Sequence, residues 1–168
     1  MTQLFAQPYD IDANGFYFKN LEEYQAKSNS NFNRYGGRVE EYEIQFIDGE
    51  DIDYALAKAW GINQSSIGRF FEACAEWKDY QKQIFIIAVG EIGYGFDPDN
   101  VCTEEYDVEI YHMGSMKELA EQLVEEGLFG EISDHLERYI DMDAIVRDLS
   151  YDYTETEIAG ETLIYRFF

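Results

Sequence analysis

"EEYDVEIYHMGSMKELAEQLVEEG", Glu104 to Gly127, contains the two periodicities that decide the fold class. In its first part Tyr106, Val108 and Ile110 alternate with Glu105, Asp107 and Glu109, the period-two pattern of a strand with one face buried. After Gly114 the period becomes helical. Ser115 and Glu118 have capping-box spacing, and Met116, Leu119, Ala120, Leu123 and Val124 make an apolar stripe that Gly127 closes. A strand leading straight into an amphipathic helix predicts an α+β chain.

Toward the C-terminus, the spacing predicts two short helices, within Ser133–Ile140 and Asp141–Leu149. "YTETEIAGETLIYRFF" follows as a hairpin turning near Ala159–Gly160. Toward the N-terminus, "EIGYGFDPDN" (Glu91–Asn100) is a Gly- and Pro-punctuated connector and a natural boundary. Before it, "IFIIAV" (Ile84–Val89) reads as a buried strand or a buried helical turn, and its Ile and Val content favours strand. "DIDYALAKAWG" reads as a helix ended by Gly61, and "NQSSIGRFFEACAEWKDYQ" continues at helical spacing through Trp77. Earlier still come an aromatic stretch, a brief helix capped by Asn20, the loop "SNSNFNRYGG" (Ser28–Gly37) and a strand in "RVEEYEIQFID". Three small units result: 1–50, an N-terminal α+β unit; 51–100, mainly helical; and 101–168, a C-terminal α+β unit. Small antiparallel sheets with packed short helices are expected.

Charge is the unusual property. The chain has 35 Asp+Glu against 12 Lys+Arg, a formal net charge of −23. Solubility in a small domain asks for a magnitude of only about 2–8, and the surplus opposes compaction through self-repulsion. It is also lopsided: residues 1–82 hold 14 acids and 8 bases, a net of −6, and residues 83–168 hold 21 and 4, a net of −17. An acidic tail is excluded, because 46% apolar and 17% aromatic content is enough to bury a core. Such a surface is repelled by nucleic acid and by anionic lipid, so direct binding to either is not expected. No apolar run is long enough to span a membrane, no signal peptide is expected after Met1, and two cysteines make no disulfide framework. A cytoplasmic location is expected.

The acids fall in rows. Glu118, Glu121 and Glu125 are spaced i, i+3, i+7 on one helix face, with Glu126 beside them. Asp134, Glu137 and Asp141 repeat that spacing, unless a turn near Asp141 breaks it; Glu131, Asp143 and Asp148 lie in the same segment. Glu105, Asp107 and Glu109 would share one face of the strand. A single charged helix face is ordinarily a solvated face, and Asp141 is also a plausible helix N-cap. Coincident rows on separate elements, each incurring like-charge repulsion with few bases to relieve it, ask for another reason.

Catalytic constellations are missing from the pattern. His112 and His135 lack metal-pair spacing, Cys74 and Cys102 form no CxxC, and "GEIGYG" has the wrong spacing for a nucleotide loop. "DPDNVCTEEYDV" has Cys102 where a calcium loop needs Gly and Val108 where it needs the bidentate Glu. No catalytic residue, metal or cofactor is expected.

"YEIQFIDGEDIDYALAKAW" (Tyr42–Trp60), "GLFGEISDHLERYIDMDAIVRDL" (Gly127–Leu149) and the terminal hairpin resemble the ArdA antirestriction proteins of plasmids, phages and transposons. The resemblance spans about residues 38–168; residues 1–37 fit it loosely. It implies an elongated, curved homodimer of three small domains per chain, whose carboxylates imitate the phosphates of bent duplex DNA. The implied partner is the DNA methyltransferase and specificity core of a Type I restriction–modification enzyme in the bacterial host cell. Glu105, Asp107, Glu109, Glu118, Glu121, Glu125, Glu126, Glu131, Asp134, Glu137, Asp141, Asp143 and Asp148 are the candidate phosphate mimics. Two alternatives stay open, an acidic adaptor for a basic protein unrelated to restriction and a hydrolase using two carboxylates; the lopsided charge and the Ile, Leu and Phe content argue against a third, halophilic adaptation.

Overall fold

Leu4, Ala6 and Pro8 are buried on alternate positions of a strand, Gln3–Pro8 (β1), that forms the middle of the first sheet. β1 pairs antiparallel with Phe16–Phe18 (β2) on one side and with Tyr42–Asp48 (β3) on the other. Pro8 is its last residue, where a missing N–H breaks no interior ladder bond. This strand was not expected from the sequence, because Phe5 puts an aromatic on the outward face, against Tyr17 at 4.7 Å, and so obscures the alternation.

The structure is a computed structural model describing the backbone of residues 1–168 and every side chain except those of Asp134 and Glu137. It is α+β, with two three-stranded antiparallel sheets and short helices. By contact density the chain forms two units, 1–106 and 107–168, so the expected divisions 1–50 and 51–100 lie together in the first.

In the first unit, Asn20 caps helix α1 (Leu21–Asn29) by accepting the Glu23 N–H at 2.8 Å, as its position suggested. The Ser28–Gly37 loop is organised by Asn33, which accepts from the Tyr35 and Gly37 N–H groups and donates to Asp10 at 2.8 Å. Helix α2 (Asp51–Trp60) stops at Gly61, whose left-handed φ of 61° suits a residue without Cβ. The following helical pattern is not continuous. Trp77 is extended and separates α3 (Ile67–Glu76) from α4 (Asp79–Phe85).

The expected strand at Ile84–Val89 is corrected: α4 runs into a π-helical turn, Ile86–Ile92. Ile84 to Ala88 are all buried, and an apolar run buried on every side has no periodicity to separate helix from strand. Packing decided against the local β preference. Gly90 allows this turn to approach α2, since a Cβ there would stand 3.1 Å from that of Ala59. Trp60 stacks on Phe85 at 4.9 Å and meets Phe96 and Trp77 at 5.4 and 5.7 Å.

One charged pair is enclosed in that unit. Lys82 donates to Asp53 at 2.7 Å and to the Cys74 carbonyl at 3.2 Å, and Thr2 donates to the other Asp53 oxygen at 2.9 Å. Lys82 and Asp53 are 3% and 5% exposed, so the pair is removed from bulk water. Burial also pushes the Cys74 thiol up to about 12, with the Asp53 charge adding to it.

The second unit orders its strands β4 (Val108–Tyr111), β6 (Glu161–Phe167), β5 (Thr154–Ile158), all antiparallel. The hairpin turns at Ala159–Gly160, where both residues have positive φ, 54° and 78°. Helices α5 (Met116–Glu125) and α7 (Met142–Leu149) bury Met116, Leu119, Ala120, Leu123 and Leu149 against Tyr153 and Ile164. A short helix, α6 (Asp134–Glu137), lies between them in sequence.

Candidate acidic surface of the second unit

Helix α5 presents its acids as the spacing predicts. Met116, Leu119, Ala120 and Leu123 face the core, which leaves Glu118, Glu121 and Glu125 exposed on the opposite side. At about 1.5 Å rise per residue their backbone positions stand about 4.5 and 6 Å apart along the axis. Their partners differ. Glu118 turns back to accept the Gly114 N–H at 3.0 Å while Ser115 accepts the Glu118 N–H, so this acid belongs to the helix cap. Glu121 stands 4.0 Å from Lys117, and Glu126 accepts from Gln122 at 2.6 Å. Among the described residues nothing engages the Glu125 carboxylate.

The second row does not run on. The helix of Asp134–Glu137 ends at Arg138, and Asp141 leaves helical geometry to cap α7, accepting the Ala144 N–H at 3.0 Å. The side chains of Asp134 and Glu137 lie outside the described residues. Asp143 and Asp148 are both exposed on α7, but five residues apart at 100° each places them about 140° apart around the axis. Glu131 is exposed in the connection that Gly127 and Gly130 turn, with φ of 79° and 91°.

The strand row is corrected. Glu105 sits in a 3-10 turn, Thr103–Glu105, within the first unit, and β4 begins only at Val108, so Glu105, Asp107 and Glu109 do not share a sheet face. Four residues leave too little strand for a period-two row. Glu109 is half-buried and hydrogen-bonded to Arg166, which is thereby held further toward its charged form. It is a structural acid.

Comparison with protein-family models gives no match to this chain, and no curated protein matches it. Among the described residues no group of three or more His, Cys, Asp and Glu side chains is placed to hold a metal ion, and no helix is long and apolar enough to cross a membrane. His112 lies 2.8 Å from Glu161 in an exposed pair, and Cys102 is an exposed free thiol.

Two features escaped the sequence reading. Glu155 accepts the Met116 N–H at 2.9 Å, placing a carboxylate at the positive end of α5; its alternation with Glu157 along β5 is the available signal. The other is an open cleft of about 600 Å3 beside the end of α5, rimmed by Glu121, Glu125, Glu126 and Glu131. Sequence periodicity could not reveal it, since its walls come from a helix, a connection and the start of another helix.

Proposed function

We propose that this chain is an antirestriction protein: a DNA mimic that occupies the DNA-binding groove of Type I restriction–modification enzymes, so that incoming DNA is neither cleaved nor modified. The observation that carries the reading is the set of exposed carboxylates Glu121, Glu125, Glu131, Asp143 and Asp148 on fixed backbone, in a unit of 16 acids and 4 bases. A groove that holds duplex DNA grips it largely through phosphates, by charge and position. Carboxylates already positioned on helices and tight turns present such charges without the ordering entropy a flexible acidic tail would lose. Lys and Arg of the groove would meet them in charge-assisted hydrogen bonds. The reading calls for no nucleophile and no proton transfer. The functional assembly is read as a homodimer joined through residues 101–168.

The test is competition with duplex DNA for a purified Type I methyltransferase core, together with the chain's own affinity for that core measured against salt. Duplex DNA should displace the chain, and the chain's affinity should fall as salt rises, because its carboxylates would meet the groove's cations as phosphates do. An affinity indifferent to salt would refute the reading. A partner that duplex DNA cannot displace would favour the acidic adaptor.

A further inference from the structure

The cleft has a floor that phosphate mimicry does not require. Val124, Ile132, Ile140 and Met142 line it, all half-buried, and Met142 also packs against the core of the second unit. A duplex backbone offers no aliphatic hollow between its charges. A merely solvated acidic face has no use for one either, since apolar surface held against water is unfavourable. No Lys or Arg lines the cleft, and among the described residues the rim carboxylates of Glu125 and Glu131 have no partner.

We propose that this cleft seats one aliphatic or aromatic side chain projecting from a basic segment of the partner protein, with flanking Lys or Arg residues meeting Glu125 and Glu131. The rim decides the occupant. Anionic lipid and nucleic acid would be repelled by four carboxylates. A cationic segment gains Coulomb attraction from the rim and apolar burial from the floor, and the second gain is unaffected by salt. Such an anchor tells a protein partner apart by something DNA lacks. The inference rests on the acidic surface meeting a basic protein, and not on that protein's acting on DNA.

The full chain is titrated by fluorescence anisotropy with two synthetic peptides of equal Lys and Arg content, one with a central Leu and one with a central Gly. At high salt the Leu peptide should bind roughly tenfold or more tightly, the gain from burying one large aliphatic side chain. Ile132→Ser with Ile140→Ser should remove that ratio, with circular dichroism and melting confirming the fold. Glu125→Gln with Glu131→Gln should weaken both peptides at low salt and leave the ratio unchanged. Methyl resonances of Ile132 and Ile140 in the unsubstituted protein should shift with the Leu peptide and not with the Gly peptide. Equal affinities at high salt, a ratio surviving in the folded Ser variant, or unmoved methyl signals overturns the proposal. Self-association that the Ser variant abolishes also overturns it, by making a second copy the occupant. If a methyltransferase core fails to bind the chain, the antirestriction reading falls while the peptide result stands. Equal peptide affinities end this inference whatever that enzyme does.

Discussion

The first unit encloses one charged pair, whereas among the described residues the second encloses none. Residues 1–106 carry 19 acids and 8 bases, a net of −11, and residues 107–168 carry 16 and 4, a net of −12 in little more than half the length. In the first unit Lys82 and Asp53 are buried together, with Thr2 donating to Asp53 and Lys82 donating to both Asp53 and the Cys74 carbonyl. In the second, the core is a thin layer of Leu, Met and Ala between two helices and a small sheet, and the acids stand outside it. A buried charge is costly without its partner, so Lys82 and Asp53 each require the other in place. An exposed carboxylate without a partner has its strongest available interaction outside the molecule. The contrast separates acids that hold this protein together from acids available to something else.

The sharpest way to break that contrast is at Lys82. Lys82→Met should destabilise the first unit by about 3–5 kcal/mol, because Asp53 is left as an uncompensated buried charge. Adding Asp53→Leu should recover most of the loss. Urea unfolding followed by tryptophan emission measures it, since Trp60 and Trp77 both lie in this unit. A loss within the range of surface substitutions would mean the pair is hydrated.

Cys74 sharpens the same point by pH. Its folded thiol loses a proton only near 12, against 9.0 for the ordinary group. The unfolded chain therefore ionises first, and this group's contribution to stability is intact below pH 9 and falls as pH rises toward 12. Alkylation in the native state should modify exposed Cys102 and spare Cys74, whose thiolate fraction is reduced about a thousandfold. Lys82→Met should expose Cys74 to the reagent.

In the second unit, Glu121→Gln, Glu125→Gln, Glu131→Gln and Asp143→Asn together should leave unfolding free energy unchanged or slightly raised. Partner affinity should fall by about 0.2–1 kcal/mol for each exposed pair lost, with a shallower salt dependence. Asp141→Ala should behave in the opposite way, costing about 1 kcal/mol of stability through the lost α7 cap. The smallest effect is expected at Ala159, which holds a left-handed φ of 54° in the hairpin turn. Ala159→Asn should stabilise the second unit by roughly 0.5–1 kcal/mol. A drop there would show that the Ala methyl makes a contact outweighing the strain.

Much of this was legible along the chain. The Asn20, Ser115 and Asp141 caps, the Gly61 and Gly127 stops and the Ala159–Gly160 turn all stand where the residues indicate, because caps and tight turns are satisfied by near neighbours. The apolar stripe of α5 and the exposure of its acids follow from helical spacing alone. The sequence by itself thus determined the α+β class, the capped second-unit helix and the surplus of carboxylates with nothing to neutralise them.

Only the tertiary structure decided the rest. It made a helical segment of Ile84–Val89, placed the unforeseen β1 at the centre of a sheet, and cut the acidic strand row short at Val108. It also assigned Glu109 to Arg166 and Glu155 to the start of α5, and assembled the apolar floor from three successive segments between Val124 and Met142. The physical reason is range. Spacing records what a residue does for its own turn of helix or strand, whereas the partner of a charge and the walls of a cleft are set by whichever element packs beside them.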